Sequence, residues 1–328
     1  MQAMVIEAKA DVGKLVWQKV PTPVPGPGDL LINVKAASVN RADLLQLQGK
    51  YPAGAASLVP IVAGLEAAGE VVAAGEAVYG FKPGDRVAGL CTGGYAQFAV
   101  LDHRLAIPVP DRLEWPEAAA FALGYMTQYN AMVTNARLRA GQSVLVTAAS
   151  SGVGVAGIQL ARFLGSTSII GTSGSPGKVA ALHSLGVDRV IDYRTENIAE
   201  AAREVTGGRG VNVIVDHVGG ACLADHLQAL AVKGCLVSVG RLGPAVGELD
   251  MELLALNRLR VIGVTFRTRT LEEKIDIARG VIDDLVPALA DGRLRPVVDR
   301  VFPFEKAVEA QDYMRSNRQI GKIVLKME

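Results

Sequence analysis

Hydrophobic and polar positions change their rhythm once along the chain. Before Leu123 the apolar stretches are short and rich in β-formers, at 5–8, 30–35, 68–72, 86–89 and 95–100. Clusters of Pro and Gly separate them, notably Pro21-Thr-Pro-Val-Pro-Gly-Pro-Gly28 and Lys82-Pro-Gly-Asp85. Short strands punctuated in this way predict a small barrel or sandwich. From Leu123 onward strand and helix patterns alternate. A strand at 143–149 leads to a helix at 155–164. A strand at 168–172 leads to a helix at 178–185, which Gly186 closes. A strand at 189–192 leads to a helix at 196–205, with Thr195 as N-cap and Gly207-Gly208 as its stop. Strands at 211–216, 235–239 and 261–266 and a helix at 223–230 complete the series. This alternation predicts an α/β fold built on a doubly wound parallel sheet of about six strands. The tail, 271–325, carries two helices and a closing strand at 323–325, enough chain to return to the first domain.

The 328 residues suit about two domains of roughly 150 residues each. Half of them are hydrophobic, so a sizeable core is available. A net charge of +1 argues against a general binder of nucleic acid or membrane surfaces. Cys91, Cys222 and Cys235 lie far apart with no C-x-x-C spacing, which suits a reducing cytoplasm better than a disulfide framework. The opening Met1-Gln-Ala-Met-Val-Ile-Glu7 lacks the pattern of a signal peptide. The uncharged run 140–161 is long enough to span a bilayer, but its Gln142, Gln159, hydroxyls and glycines fit a strand-turn-helix better.

The most specific chemistry lies in 143–178. Ala149-Ser-Ser-Gly-Val-Gly154 joins a strand to a helix through small residues. Small residues let the backbone approach a pyrophosphate, and the helix N-terminus offers N–H groups and positive dipole to hold it. Of the usual G-x-G-x-x-G pattern only the last glycine is kept; an ordinary βαβ turn is the competing explanation. The second strand ends near Thr172, where an NAD-binding chain offers an acid to the ribose 2′-hydroxyl. No Asp or Glu occurs from Ala118 to Val187; Ser173, Ser175 and Lys178 stand there instead. A 2′-phosphate is repelled by a carboxylate and attracted by a lysine among hydroxyls, so the stretch predicts NADP(H).

Gly84-Asp-Arg-Val87, Ala149-Ser-Ser-Gly-Val-Gly154 and Gly321-Lys-Ile-Val324 occur in an order and spacing that resembles the medium-chain dehydrogenase/reductase superfamily. Asn40-Arg-Ala-Asp43, Gly49-Lys-Tyr51 and Gly64-Leu-Glu-Ala-Ala-Gly69 resemble its zinc-free quinone oxidoreductase branch, typified by zeta-crystallin. The resemblance covers nearly the whole chain. It implies a GroES-like β-barrel catalytic domain over 1–123 and 267–328 and an NADP-binding Rossmann domain over 124–266. Zinc alcohol dehydrogenases of the superfamily place Cys where Asn40 stands and His where Leu65 stands, and carry a four-Cys lobe that is missing here. Zn²⁺ prefers three or four converging Cys and His ligands. The four histidines, His103, His183, His217 and His226, form no such set with the cysteines.

The resemblance also implies site residues. Asn40 and Asp43 are expected near the nicotinamide ribose, Tyr51 in the substrate cleft and Thr127 facing the nicotinamide. A phenol such as Tyr51 can donate a hydrogen bond to a carbonyl as hydride arrives; simple packing on Pro52 is the alternative. A second cleft tyrosine of the family falls on Leu45, which leaves the proton donor open. Ser151, Gly152, Val153 and Gly154 are expected at the pyrophosphate, and Ser173, Lys178 and Tyr193 around the 2′-phosphate. A solvated first-turn lysine is the alternative for Lys178, although a cation at a helix start is mildly disfavoured. His217, Gly240, Arg241, Phe266 and Arg267 occupy strand ends expected beside the cofactor, and Asn317 and Lys322 reach toward it from the tail.

The expected activity is zinc-independent hydride transfer from NADPH to a small-molecule quinone or similar electrophile. The alternatives are an NADPH-dependent enone or enoyl-thioester reductase on the same fold, or an NADPH-binding structural or RNA-binding protein. The absence of a basic cluster or stacking aromatics weighs against nucleic acid as the primary partner. The expected protein is cytoplasmic and a homodimer or homotetramer, with 259–266 as the edge strand that pairs with a second copy.

Overall fold

The computed structural model of the chain describes residues 1–7, 12–50 and 60–327. It forms two compact units, one of Met1–Leu123 with Arg267–Glu328 and one of Gly124–Phe266.

In the first unit, the strand Asp29–Val39 organises a seven-stranded sheet. Its 11 residues are long enough to take two partners in succession. Asp29 to Asn33 pairs with Phe98–Asp102, and Ala36 to Val39 with the returning tail strand Lys322–Lys326, both antiparallel. Glu66–Ala74 also pairs with it antiparallel and leads on to Arg86–Leu90 and Ala106–Pro108. Leu30, Ile32 and Val34 are buried between half-buried neighbours, the alternation of a strand with one covered face. From Ala36 to Val39 every residue is buried, so the strand passes into the interior toward its end. Leu30, Ile32, Tyr95, Phe304, Ile323 and Leu325 share one core. The helix Leu271–Asp291 is fixed by a capping box: Thr270 Oγ1 accepts from the Glu273 N–H and Glu273 Oε2 from the Thr270 N–H.

In the second unit, six parallel strands stand in the order Arg189–Ile191, Ser168–Thr172, Ser143–Val146, Val211–Asp216, Leu230–Ser238, Arg260–Gly263. Val144, Leu145, Val146, Ile214 and Val215 are fully buried, as in a sheet covered on both faces. The order reverses between Ser143–Val146 and Val211–Asp216. Ligands of such sheets gather beyond the strand carboxyl ends at that reversal.

Several boundaries differ from expectation for local reasons. The strand expected over 143–149 stops at Val146, because Ala148 turns left-handed at φ 48°. The following helix is Gly152–Phe163, starting before 155, because Ser151 caps it; its glycines hide the start from propensity. Ile198–Val205 is capped by Asn197 rather than Thr195, with Asn197 Oδ1 accepting from the Glu200 N–H at 2.9 Å. The strand expected at 95–100 is Phe98–Asp102, and that expected at 261–266 is Arg260–Gly263. The tail holds an additional strand, Val298–Pro303, which runs parallel to Lys322–Lys326.

Candidate active site

The turn at the sheet's reversal point is built from its backbone. Ser151 is extended at φ −69°, ψ 159° and its Oγ accepts from the Gly154 N–H at 3.0 Å. Gly152 and Val153 are the first two helical residues, so their N–H groups have no carbonyl within the helix. A Cβ on Gly154 would collide with the Ala148 carbonyl and lie 2.8 Å from that of Ala149. The glycine therefore lets the helix start sit down on the strand end. The result is a pair of N–H groups at the positive end of a 12-residue helix, a cradle for an anion.

Beside it, Lys178 is buried and its Nζ donates to Ser150 Oγ at 3.1 Å. Ser173 is buried at the end of the second strand and its Oγ accepts from the Ser175 N–H. The Tyr193 hydroxyl lies 2.7 Å from where a Cβ on Gly174 would be, while 55% of the residue is exposed. The nearest acids are engaged elsewhere: Asp188 with Arg162, and Asp192 with Arg194. Ser150 was not expected from sequence.

At the end of Val211–Asp216, His217 is enclosed rather than presented. Its Nδ1 lies 2.8 Å from the Thr147 carbonyl, which fixes the proton there, and its Nε2 accepts from Gln128 Nε2 at 2.9 Å. Burial pushes its pKa down, so the ring is neutral and both nitrogens are committed. Only its backbone can approach a ligand, and the ring cannot act as a base. Gly240 packs tightly on the His217 carbonyl, where a Cβ would come within 2.7 Å. Arg241 is exposed beyond it, and Phe266 closes this unit just before the exposed Arg267 opens the second segment of the other. Thr127 is half-buried on the helix Ala122–Tyr129.

The first unit holds a buried polar cluster of its own. Glu66, fully buried, accepts from Lys322 Nζ at 2.7 Å, Asn40 Nδ2 at 2.9 Å, the Leu123 N–H at 2.7 Å and the Ser38 hydroxyl. Lys322 Nζ also donates to Asn40 Oδ1 at 2.7 Å, which fixes which way the Asn40 amide faces. Asp43 Oδ2 accepts from the Asn40 N–H at 2.7 Å and the Tyr95 hydroxyl at 2.8 Å, while its buried Oδ1 has no partner among the described residues. Burial raises the Asp43 pKa to about 7. Asn317 sits at φ 54°, with Oδ1 accepting from Arg41. Asn40, Asp43 and Lys322 thus come together, with Lys322 turned to Glu66 inside the unit. Glu66, Ser38 and Tyr95 were not expected as members; no local pattern marks a bond across 256 positions. Tyr51 lies outside the described residues.

A family model described as "Alcohol dehydrogenase GroES-like domain" matches residues 26–111, and one described as "Zinc-binding dehydrogenase" matches 185–325. The chain is 32% identical to the synaptic vesicle membrane protein VAT-1 homolog of Mus musculus, over 96% of this chain and 80% of that one. It is 33% identical to quinone oxidoreductase of Rattus norvegicus, over 93% and 91%. It is 37% identical to a segment of erythronolide synthase EryA2 of Saccharopolyspora erythraea, over 91% of this chain and 8% of that protein. Among solved structures, an NAD-dependent alcohol dehydrogenase superposes with a TM-score of 0.87 at 29% identity over the whole of both chains. A mycobacterial protein solved with NADPH superposes with a TM-score of 0.86 at 28% identity, over 99% of this chain and all of that one.

Proposed function

The chain belongs to the medium-chain dehydrogenase/reductase superfamily, among the quinone oxidoreductases and their relatives, and we propose that it passes hydride from NADPH to a quinone or similarly electrophilic acceptor without a metal. One observation carries the cofactor preference. The Lys178 ammonium lies buried against Ser150 beside the anion cradle, where an NAD-specific chain would offer a carboxylate. Lys178, Ser150 and Ser173 would hold the 2′-phosphate, and the Gly152 and Val153 N–H groups the pyrophosphate. Bound NADPH supplies the hydride. Asn40, with its amide held by Lys322 and Glu66, and Thr127 are assigned to the nicotinamide end, as are the backbones of His217 and Gly240 and the side chains of Arg241, Phe266 and Arg267. No side chain is required as acid, since the reduced quinone takes its proton from water.

Zinc, which the matching family description implies, does not fit these residues. Asn40 and Leu65 replace the expected Cys and His, and the Lys322 ammonium sits 2.7 Å from both Asn40 Oδ1 and Glu66 Oε1. A fixed cation there repels a second. Among the described residues no three His, Cys, Asp or Glu side chains converge for a metal.

The chain also matches a segment of a synthase, and a second assignment on the same fold is NADPH-dependent reduction of an enone or enoyl thioester. Following NADPH oxidation at 340 nm with 1,4-benzoquinone, 9,10-phenanthrenequinone and a crotonyl thioester separates the two. Chelator-insensitive turnover of the quinones is expected; turnover confined to the thioester would replace the first assignment with the second. We further assign the protein to the cytoplasm as a homodimer, supported by its three free cysteines and by the terminal position of Arg260–Gly263 in the sheet. Among the described residues no helix is long and apolar enough to cross a membrane. A monomer by light scattering would contradict the dimer.

A further inference from the structure

Gln128 is fully buried on the helix Ala122–Tyr129, and its position gives no functional signal in the sequence. Its Nε2 donates to two acceptors, the Val153 carbonyl at 2.9 Å and His217 Nε2 at 2.9 Å. Neither acceptor tolerates the amide turned over, because the Gln128 oxygen would then face a carbonyl oxygen and a lone pair. His217 is held in turn by the Thr147 carbonyl, and its own N–H donates to Thr147 Oγ1 at 2.7 Å. The ends of two neighbouring strands are thus tied through Gln128 to the first turn of the helix Gly152–Phe163.

The bond to Val153 has a particular consequence. The peptide between Val153 and Gly154 is gripped at both ends: its C=O by Gln128 and its N–H by Ser151 Oγ. With the Gly154 N–H taken by Ser151, the N–H groups that remain for a ligand are those of Gly152 and Val153, and the grip on the Val153 carbonyl steadies the turn that carries them. Gly157 is the space this arrangement requires. A Cβ there would lie 2.9 Å from both Cδ and Oε1 of Gln128 and 3.2 Å from its Nε2. Glycine is a poor helix former, and its presence here is physically accounted for by the amide that lies against it.

We propose that Gln128 is a positioning residue for the pyrophosphate cradle, that His217 serves as its second anchor, and that Gly157 provides its seat. The inference rests on the assignment of the turn to a dinucleotide. It predicts that removing the amide weakens ligands that reach the pyrophosphate cradle and spares ligands that occupy only the 2′-phosphate pocket.

The test compares NADPH and adenosine 2′-phosphate on the wild-type chain, Gln128→Met and Gly157→Ala, by titration calorimetry with competition. Gln128→Met keeps the side chain's length and removes its donors. Roughly tenfold weaker NADPH binding is expected, with adenosine 2′-phosphate unchanged. The ¹⁵N resonance of His217 Nε2 should shift as it loses its donor, with the proton remaining on Nδ1. Gly157→Ala should reproduce the selective NADPH loss, because its methyl pushes the Gln128 amide off the Val153 carbonyl. A merely structural role would weaken adenosine 2′-phosphate together with NADPH.

Wild-type NADPH affinity in both variants would overturn the proposal. Equal loss of both ligands would do the same, since it signals general damage. A wild-type chain that binds neither ligand would instead overturn the dinucleotide assignment. The His217 resonance in Gln128→Met would then decide the clamp alone, and an unchanged signal would refute it.

Discussion

Replacing Lys322 with methionine isolates the energetics of the buried cluster. Lys322 is 6% exposed and Glu66 fully buried, and their charges meet at 2.7 Å. Removing one partner of a buried pair typically costs about 3–5 kcal/mol, because the other charge stays buried without compensation. Glu66 keeps three donors, Ser38, Asn40 and the Leu123 N–H, which places the loss near the lower end, about 3 kcal/mol. At a urea dependence of about 3 kcal/mol per molar, the midpoint should fall by about 1 M. The assay is selective, since both tryptophans, Trp17 and Trp115, lie in the same unit as the pair, so intrinsic fluorescence reports its unfolding. Adding Glu66→Gln should recover more than half of the loss. The new amide can donate to Ser38 and to the Asn40 oxygen that Lys322 released, while its oxygen accepts from Leu123. A single-variant loss below about 1 kcal/mol, or no coupling in the double-mutant cycle, would refute the claim that this pair is desolvated and interdependent.

Gly154→Ala places a methyl against the backbone carbonyls of Ala148 and Ala149, which cannot rotate away. Overpacking of about 1–3 kcal/mol at the helix start should appear as weaker NADPH binding in a fluorescence titration, and unchanged affinity would show that the cradle is not the binding surface. Asp43 has a folded pKa of about 7, above its unfolded value, so its contribution is fully present below pH ~4 and is lost as pH rises through 7. The slope is at most about 1.4 kcal/mol per pH unit between those values. Urea unfolding from pH 5 to 8 should show stability falling with pH in the wild-type chain and a flatter profile in Asp43→Asn; parallel profiles would assign the slope to another group.

The parallel sheet is legible in the sequence because its central strands are buried on both faces and read as unbroken apolar runs, as in Val144-Leu-Val146. The helix start at Gly152 is not, because glycine and serine are chosen for close approach and capping rather than helix propensity. The strand Val298–Pro303 is hidden for another reason. Asp299 and Arg300 interrupt its pattern, and Asp299 serves to accept from Tyr313 and the Ile320 N–H. Asn40, Asp43 and Lys322 stand out by motif, but their joining through Glu66 depends on a tail strand returning to Asp29–Val39, which no local spacing encodes. Gln128 and Ser150 are ordinary residues in sequence; only the fold places an amide against Gly157 and a hydroxyl against Lys178.

The central claim is that this is an NADPH-dependent enzyme whose preference resides in Lys178. The most direct measurement is the Kd for NADPH and for NADH, on the wild-type chain and on Lys178→Ala. Tighter binding of NADPH by the wild-type chain, and a variant in which NADPH weakens about tenfold or more while NADH does not change, is the predicted result. Equal affinity for the two cofactors in the wild-type chain, or equal weakening of both in the variant, would contradict it.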